Sequence, residues 1–215
     1  MMADGRTGGR AVGRIIAIAT VLSVGPTVRL PAQVSFHFAA GVRYSSTLVH
    51  DSIAGPIDLR PALAPTLLLT VQEALSPGWS ADATLDVSPS GLRRHETGGS
   101  FDAGSFTAFA FTVGLRRHVA PGLSARIAAG GLTYSAAARG VFREGSGGLF
   151  PLGSVAATYT PSFGARRRLE LEARYDVHGF ITPALRTEGF RDSRLVHRVA
   201  LLARVGWGGR GEPTP

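Results

Sequence analysis

The residues of this chain that could do chemistry are six histidines, His37, His50, His95, His118, His178 and His197, set among 15 acids and 23 basic residues. Every basic residue is an arginine. Nucleophilic catalysis needs a histidine within hydrogen-bond reach of a hydroxyl or thiol, oriented in turn by an acid. His197 has Ser193 four residues away on the same face of an extended segment. That is about 13 Å along a strand, too far for a direct bond. His178 lies two residues from Asp176 and is expected to be paired with it in an interior. No nucleophile elbow and no His-x-Ser pattern occurs. The chain has no cysteine, and its histidines fall on separate segments, so no metal-ligand spacing and no cofactor is implied. Gly145-Ser146-Gly147-Gly148 lacks the strand-then-helix context of a phosphate loop and reads as a flexible link.

What remains is ionic chemistry, and its spacing is regular. Arg43, Asp82, Asp86, Arg116, Arg126, Glu170, Glu172, Arg174, Asp176, Arg198 and Arg204 all stand on the polar side of segments that alternate apolar and polar. In 169–178, Leu, Leu, Ala, Tyr and Val alternate with Glu, Glu, Arg, Asp and His. In 79–88, Trp79, Ala81, Ala83, Leu85 and Val87 alternate with Ser80, Asp82, Thr84, Asp86 and Ser88. Period two is the signature of a strand with one apolar and one polar face. The pattern predicts eight strands, at 34–45, 62–74, 79–88, 105–117, 123–134, 149–160, 168–178 and 194–207. The connections alternate in length: short ones at 76–78, 118–122 and 161–167, long ones at 46–60, 89–104, 135–148 and 179–192. An even count of strands with this rhythm is the layout of an up-and-down antiparallel transmembrane β-barrel, and about 9–11 residues suffice for a strand to cross. The expected domain is 34–207, with 208–215 as a disordered tail.

The two faces can be assigned. Ala, Gly, Ser and Thr interleave with the charges and leave room for long arginines in the narrow interior of an eight-stranded barrel. An arginine facing lipid at mid-membrane costs about 2–4 kcal/mol, so the charges belong inside, paired, and the apolar face outside. A single antiparallel register of the last two strands sets Glu170 opposite Arg204 and Asp176 opposite Arg198, and opposite charges stabilise such a register. The apolar face carries Tyr44, Trp79, Tyr159, Tyr175 and Trp207 near strand ends, as interfacial girdles do. Charges on a solvated strand, with the aromatics in an ordinary core, would give the same pattern.

The N-terminus has Arg6, Arg10 and Arg14, then the apolar run Ile15 to Gly25, then Leu30-Pro31-Ala32-Gln33. This reads as a secretory signal peptide over 1–33, too short to span a bilayer as a helix. Its removal leaves 19 arginines against 14 acids. The basic residues are dispersed, and the one run, Arg166-Arg167-Arg168, sits in a predicted turn, so nucleic-acid binding is not expected.

With these features the chain resembles the small bacterial outer-membrane barrels of the OmpA and OmpX type over about 34–207. The last strand, Leu201-Leu202-Ala203-Arg204-Val205-Gly206-Trp207, resembles the signal read by barrel-assembly machinery, although Gly208 to Pro215 follow the aromatic. The resemblance implies an outer-membrane location, contact with outer-membrane lipid, passage through periplasmic chaperones and assembly machinery, and long loops outside the cell. The expected function is a structural or adhesive barrel with a closed, salt-bridged interior. Its basic loop residues Arg93, Arg94, His95, Arg139, Arg143, Arg186, Arg191 and Arg194 would contact glycolipid phosphate or an acidic surface. The alternatives are an outer-membrane lipid hydrolase or acyltransferase, a narrow pore, and an exported soluble lipocalin-like barrel with the faces reversed.

Overall fold

A computed structural model describes residues 34–51, 57–136, 146–161, 169–187 and 194–208. Ten strands form one antiparallel sheet: β1 (Val34–Ser45), β2 (Val49–Asp51), β3 (Ile57–Pro61), β4 (Ala64–Ser76), β5 (Trp79–Glu96), β6 (Gly99–Ala120), β7 (Leu123–Ala136), β8 (Ser146–Tyr159), β9 (Leu169–Phe180) and β10 (Arg194–Gly208), with one helical turn, α1 (Pro183–Thr187). Eight of them close a ring in the order β1, β4, β5, β6, β7, β8, β9, β10, and β10 pairs back onto β1. These are the eight strands that the alternation predicts.

The ring closes because its strands coil tightly, and two glycines permit the closest approaches. A Cβ on Gly41 would lie 1.9 Å from the Leu201 carbonyl oxygen, and one on Gly130 would lie 1.9 Å from that of Phe111. Only a residue without a side chain fits where one backbone presses on the next.

The ring is inside-out relative to a soluble domain. Phe38, Val42, Leu67, Leu69, Leu85, Phe109, Phe111, Val113, Ile127, Val155, Leu171 and Leu201 are exposed, while Arg43, Arg174, Arg198, Arg204, Asp86 and Asp176 are each at most 2% exposed. A continuous apolar exterior over a charged interior is unstable in water and stable in hydrocarbon. The fold is an eight-stranded, up-and-down transmembrane β-barrel. The alternative with charges outward around an apolar cavity is overturned by this facing.

The structure corrects three expectations. The segment 89–104, read as a long loop, is a continuation of β5 and β6 as a two-stranded ribbon closed by a turn at Thr97-Gly98. It reads as a loop because, above the membrane, both its faces lack the apolar alternation that marks a strand. The segment 46–60 contains β2 and β3, and β3 pairs with the β5 extension. Gly208, read as the start of a tail, is the last residue of β10 and sits opposite Ser35. The segment 1–33, expected to be a signal peptide, the run Arg166 to Arg168, and the rest of the expected tail lie outside the described residues.

The interior is also not ionic throughout. Its loop-side end is an apolar cluster of Leu48, Leu59, Leu92, Phe106, Leu132, Tyr134, Phe150, Leu152, Phe180, Leu185 and Val196. The inward positions of the strands simply continue past the charges into aromatic and aliphatic residues.

Candidate functional site in the interior and on the rim

Alternation turns the predicted charges inward from six strands, and the small diameter brings them together in two groups. In the group nearer the turns, Asp82 on β5 accepts from Arg126 on β7 through Nε–H, shared between its two oxygens at 2.8 and 2.9 Å, and through Nη2 at 2.5 Å. Arg116 on β6 reaches Glu172 on β9 at 3.2 Å and also bonds Thr158. Arg204 on β10 lies 3.5 Å from both Glu170 and Glu172 and donates to Gln72 at 3.1 Å. Three arginines meet three carboxylates, so this group is neutral.

In the second group, Arg43 on β1 contacts Asp86 at 2.6–2.8 Å and Asp176 at 3.5 Å. Arg174 donates to Asp176 at 2.8 Å, and Thr66 donates to Asp86 at 3.1 Å. Thr112 ties the groups together, since its hydroxyl accepts from Arg126 at 3.1 Å and from Arg174 at 3.3 Å. Arg198 stands opposite Asp176, and Arg204 opposite Glu170, in the register that the charges alone suggest.

Above these groups, Tyr134 and His178 share a hydrogen bond of 2.8 Å. Phe106 and Phe180 pack edge-on against the Tyr134 ring, with centroids 5.1 and 5.5 Å away. α1 then adds Leu185 to the apolar cluster, its backbone N–H capped by Thr182 Oγ1. Among the described residues, the ion pairs thus occupy the middle of the interior and the apolar cluster its loop-side end.

On the rim, β3 and the β5–β6 ribbon present a polar outward face. His50 and Arg60 each bond Asp58 at 2.6 Å. These two partners, His50 foremost, hold the Asp58 carboxyl below its ordinary range. Arg60 stands directly opposite Arg93, and Arg93 opposite Asp102. Arg94 is on the other face, paired with Glu96. Arg93 and Arg94 therefore do not form one patch, because neighbours along a strand point to opposite sides. Arg93, Ser100, Phe101, Asp102 and Ser105 line a shallow concavity of about 520 Å³. His95 lies opposite Asp58, Arg186 is exposed in the last turn of α1, and Arg194 opens β10. Arg139, Arg143 and Arg191 lie outside the described residues.

No protein-family model and no curated protein matches the chain. Solved structures do. Neisserial surface protein A is 10% identical, with a TM-score of 0.50 over 80% of this chain and 95% of that one. The fold is that of a small outer-membrane β-barrel. Two further barrels are similar: Ail of Yersinia pestis, 12% identical with a TM-score of 0.49 over 81% of this chain and 99% of that one, and OprG of Pseudomonas aeruginosa, 8% identical with a TM-score of 0.48 over 84% and 98%. Identities this low speak for the fold and not for an activity.

On the outside of the barrel the five predicted aromatics are exposed: Tyr44, Trp79, Tyr159, Tyr175 and Trp207. Trp79, Tyr159 and Trp207 stand at the turn-side ends of their strands, and Arg117 lies over the Trp79 ring at 5.2 Å. Tyr44 stands at the loop-side end, while Tyr175 is nearer the middle of β9 and bonds His197 Nδ1 at 2.6 Å. His197 is thus occupied by a phenol. Its other neighbour, Ser46 Oγ, accepts from the His197 backbone N–H.

Two features escaped the sequence reading. Phe106, Tyr134 and Phe180 have the same parity along their strands as the charged positions, and Phe150 that of Ser154 and Thr158 on β8, so parity could have found the cluster. The Arg60–Arg93 juxtaposition depends on the pairing of β3 with β5, which no sequence signal gives.

Proposed function

We propose that this chain is a bacterial outer-membrane barrel with a sealed interior, whose loop-side ribbon makes adhesive contact with phosphate-bearing headgroups of outer-leaflet glycolipid. The observation that carries the location is the partition of residues, with an apolar exterior over a buried ion network. In this reading the N-terminal segment directs export, and periplasmic chaperones and barrel-assembly machinery deliver the chain to the membrane. The barrel works without catalysis and without conduction. In support, the interior is occupied by paired charges and then by the Leu48–Leu185 apolar cluster, so ions have no continuous polar path.

The ribbon carries the contact reading. Like charges directly opposite one another destabilise a sheet. Arg60 and Arg93 are so placed beside a concavity with hydroxyls at Ser100 and Ser105. Asp58 holds Arg60 at 2.6 Å and Asp102 stands opposite Arg93, so a bridging phosphate would add charge-assisted hydrogen bonds from the remaining N–H groups of both guanidiniums. The site lies beyond the apolar band of Val87 and Phe109 on the same two strands, at the side where headgroups meet water.

The test has two arms. Mobility on a denaturing gel before and after boiling, with fractionation of cells, tests the barrel and its location. A heat-dependent shift and recovery in the outer-membrane fraction are expected, whereas a soluble unshifted protein refutes the location. Binding of the refolded protein to vesicles containing phosphorylated glycolipid then tests the contact. Reversal of Arg60 and Arg93 to Glu should abolish it, and Arg94→Glu should leave it intact. Equal binding by all three proteins refutes the contact.

A further inference from the structure

The outward face of the barrel is not evenly filled. One row of register partners runs Trp79, Arg117, Ala125, Ala157, Ala173 and Leu201, strand by strand from β5 to β10. Trp79 is the first residue of β5, at its turn-side end, whereas Leu201 is in mid-strand, so the row climbs from the membrane boundary toward its middle. Its three successive alanines are continued by Ala203 and Ala40, which pair with each other beside it. A concavity of about 620 Å³ lies over Ala157, Ala173, Ala203 and Ala40. Tyr159 and Leu171 wall it on the turn side of the first two alanines, and Leu201 and Val42 on the loop side of the last two. The Tyr159 ring leans over the turn, where a Cβ on Gly122 would lie 3.6 Å from it.

Arg117 stands at the low end of this row and is exposed on the outward face. Its guanidinium lies over the Trp79 ring at 5.2 Å, and among the described residues no carboxylate lies within ion-pair distance of it. The ring face attracts the charge, but it does not accept from the guanidinium fork as an oxyanion does. A phosphate matches that fork bidentately. Trp79 and Tyr159 are amphipathic rings of the kind that sit at headgroup depth. Arg117 and Ala157 are two strands apart, about 10 Å, which is the span from a lipid phosphate across its glycerol to the start of an acyl chain.

We propose that this face holds one glycerophospholipid of the leaflet on the turn side, with its phosphate on Arg117 beside Trp79 and one acyl chain laid along the alanine trench toward Leu201. On a smooth barrel face a chain meets protein on one side only. In the trench it meets a floor and two walls, and its dispersion contacts grow accordingly. The site lies at the opposite end of the barrel from Arg60 and Arg93, so it stands or falls separately from the contact of the rim with glycolipid.

The test titrates dimyristoyl phosphatidylglycerol into the full chain refolded in uncharged maltoside micelles, with the alanine methyls followed by NMR. The methyls of Ala157, Ala173 and Ala203 are expected to shift and to saturate at one lipid per barrel. Dimyristoylglycerol has the chains without the phosphate, and glycerol phosphate has the phosphate without the chains; each should bind more weakly by about tenfold or more. Arg117→Gln should raise the half-saturating concentration by about tenfold. Ala157→Leu, which fills the trench and leaves the cation, should raise it as well, whereas Ala83→Leu, an outward alanine outside the row, should leave it unchanged. If Ala157→Leu does not fold, Arg117→Gln and the comparison of ligands decide. Shifts that grow without saturating, or an unchanged half-saturation in Arg117→Gln, would overturn the proposal. Shifts that follow protein concentration without added lipid would give the trench to a second copy of this chain and overturn it too.

Discussion

The pair Arg126–Asp82 offers the sharpest test of how dry the barrel interior is. Their side chains are 1% and 0% exposed, and Asp82 accepts from both Nε and Nη2 of Arg126. The other Arg126 contacts are neutral hydroxyls, Thr84 at 3.3 Å and Thr112 at 3.1 Å. Asp82→Ala therefore strands a guanidinium, and it also removes the acid 4.0 Å from Arg116 Nε. In a water-excluding interior the loss of one partner costs about 3–5 kcal/mol, whereas an exposed pair is worth about 0–1 kcal/mol. Against a total stability of about 5–15 kcal/mol, the first figure is a large fraction and the second is hard to see. Urea unfolding in lipid vesicles, followed by tryptophan emission, measures the difference. With a denaturant slope of about 2 kcal/mol per molar, the midpoint should fall by about 2 M. The double variant Asp82→Leu with Arg126→Leu should recover most of the loss, because replacing a buried pair by apolar residues is often neutral. A midpoint shift below about 0.5 M for Asp82→Ala, or a double variant as unstable as the sum of the singles, would refute the picture of a sealed ionic core.

Four further outcomes follow from the same geometry. Gly41→Ala places a Cβ on the Leu201 carbonyl and should cost about 1–3 kcal/mol, read as a lower temperature for the gel-mobility shift. Gly153→Ala, whose Cβ meets Val177 Cγ1 at an ordinary 3.5 Å, should be tolerated. Ile127→Arg sets a charge at a lipid-facing position that is 66% exposed and should cost about 2–4 kcal/mol if near mid-membrane; a neutral result would mean that this face meets water. The Asp58 carboxyl is held low by His50 and Arg60. Its contribution to the β2–β3 hairpin is therefore present above the ordinary carboxylate range and lost as pH falls through its depressed folded value. Amide shifts of Leu48 and Leu59, which pair across that hairpin, should move in that acidic window in wild type and stay still in Asp58→Asn.

The parts of this fold that could be read from the chain are those in which two different solvents act on the two faces of a strand. Leu169 to His178 alternates without a break because lipid selects one side and a packed ionic interior the other. The charges then set the β9–β10 register, with Arg198 opposite Asp176 and Arg204 opposite Glu170. The β5–β6 ribbon was illegible for the converse reason. Beyond Pro89 no bilayer selects an apolar side, and Gly91, Ser100 and Gly104 read as loop residues. The Arg60–Arg93 pair is harder still, since it needs the register of β3 against a β5 strand that is irregular between Gly91 and Arg93. Arg198 carries the same kind of signal as its neighbours. That it makes no ion pair among the described residues, although Asp176 stands opposite it, appears only in the contacts.

The pairing of β1 with β10, from Ser35–Gly208 to Ser45–Arg198, makes the sheet a tube with no lateral border. Each of the eight ring strands has a partner on both sides. Loss of β10 would not trim a margin but would uncover two at once, along β1 and β9. Each would present a row of unpaired amides and carbonyls to hydrocarbon, where no water can satisfy them. A chain short of its last strand is thus not a smaller version of this protein. It is an open template for sticking to other chains, and closure is all-or-nothing at the final pairing.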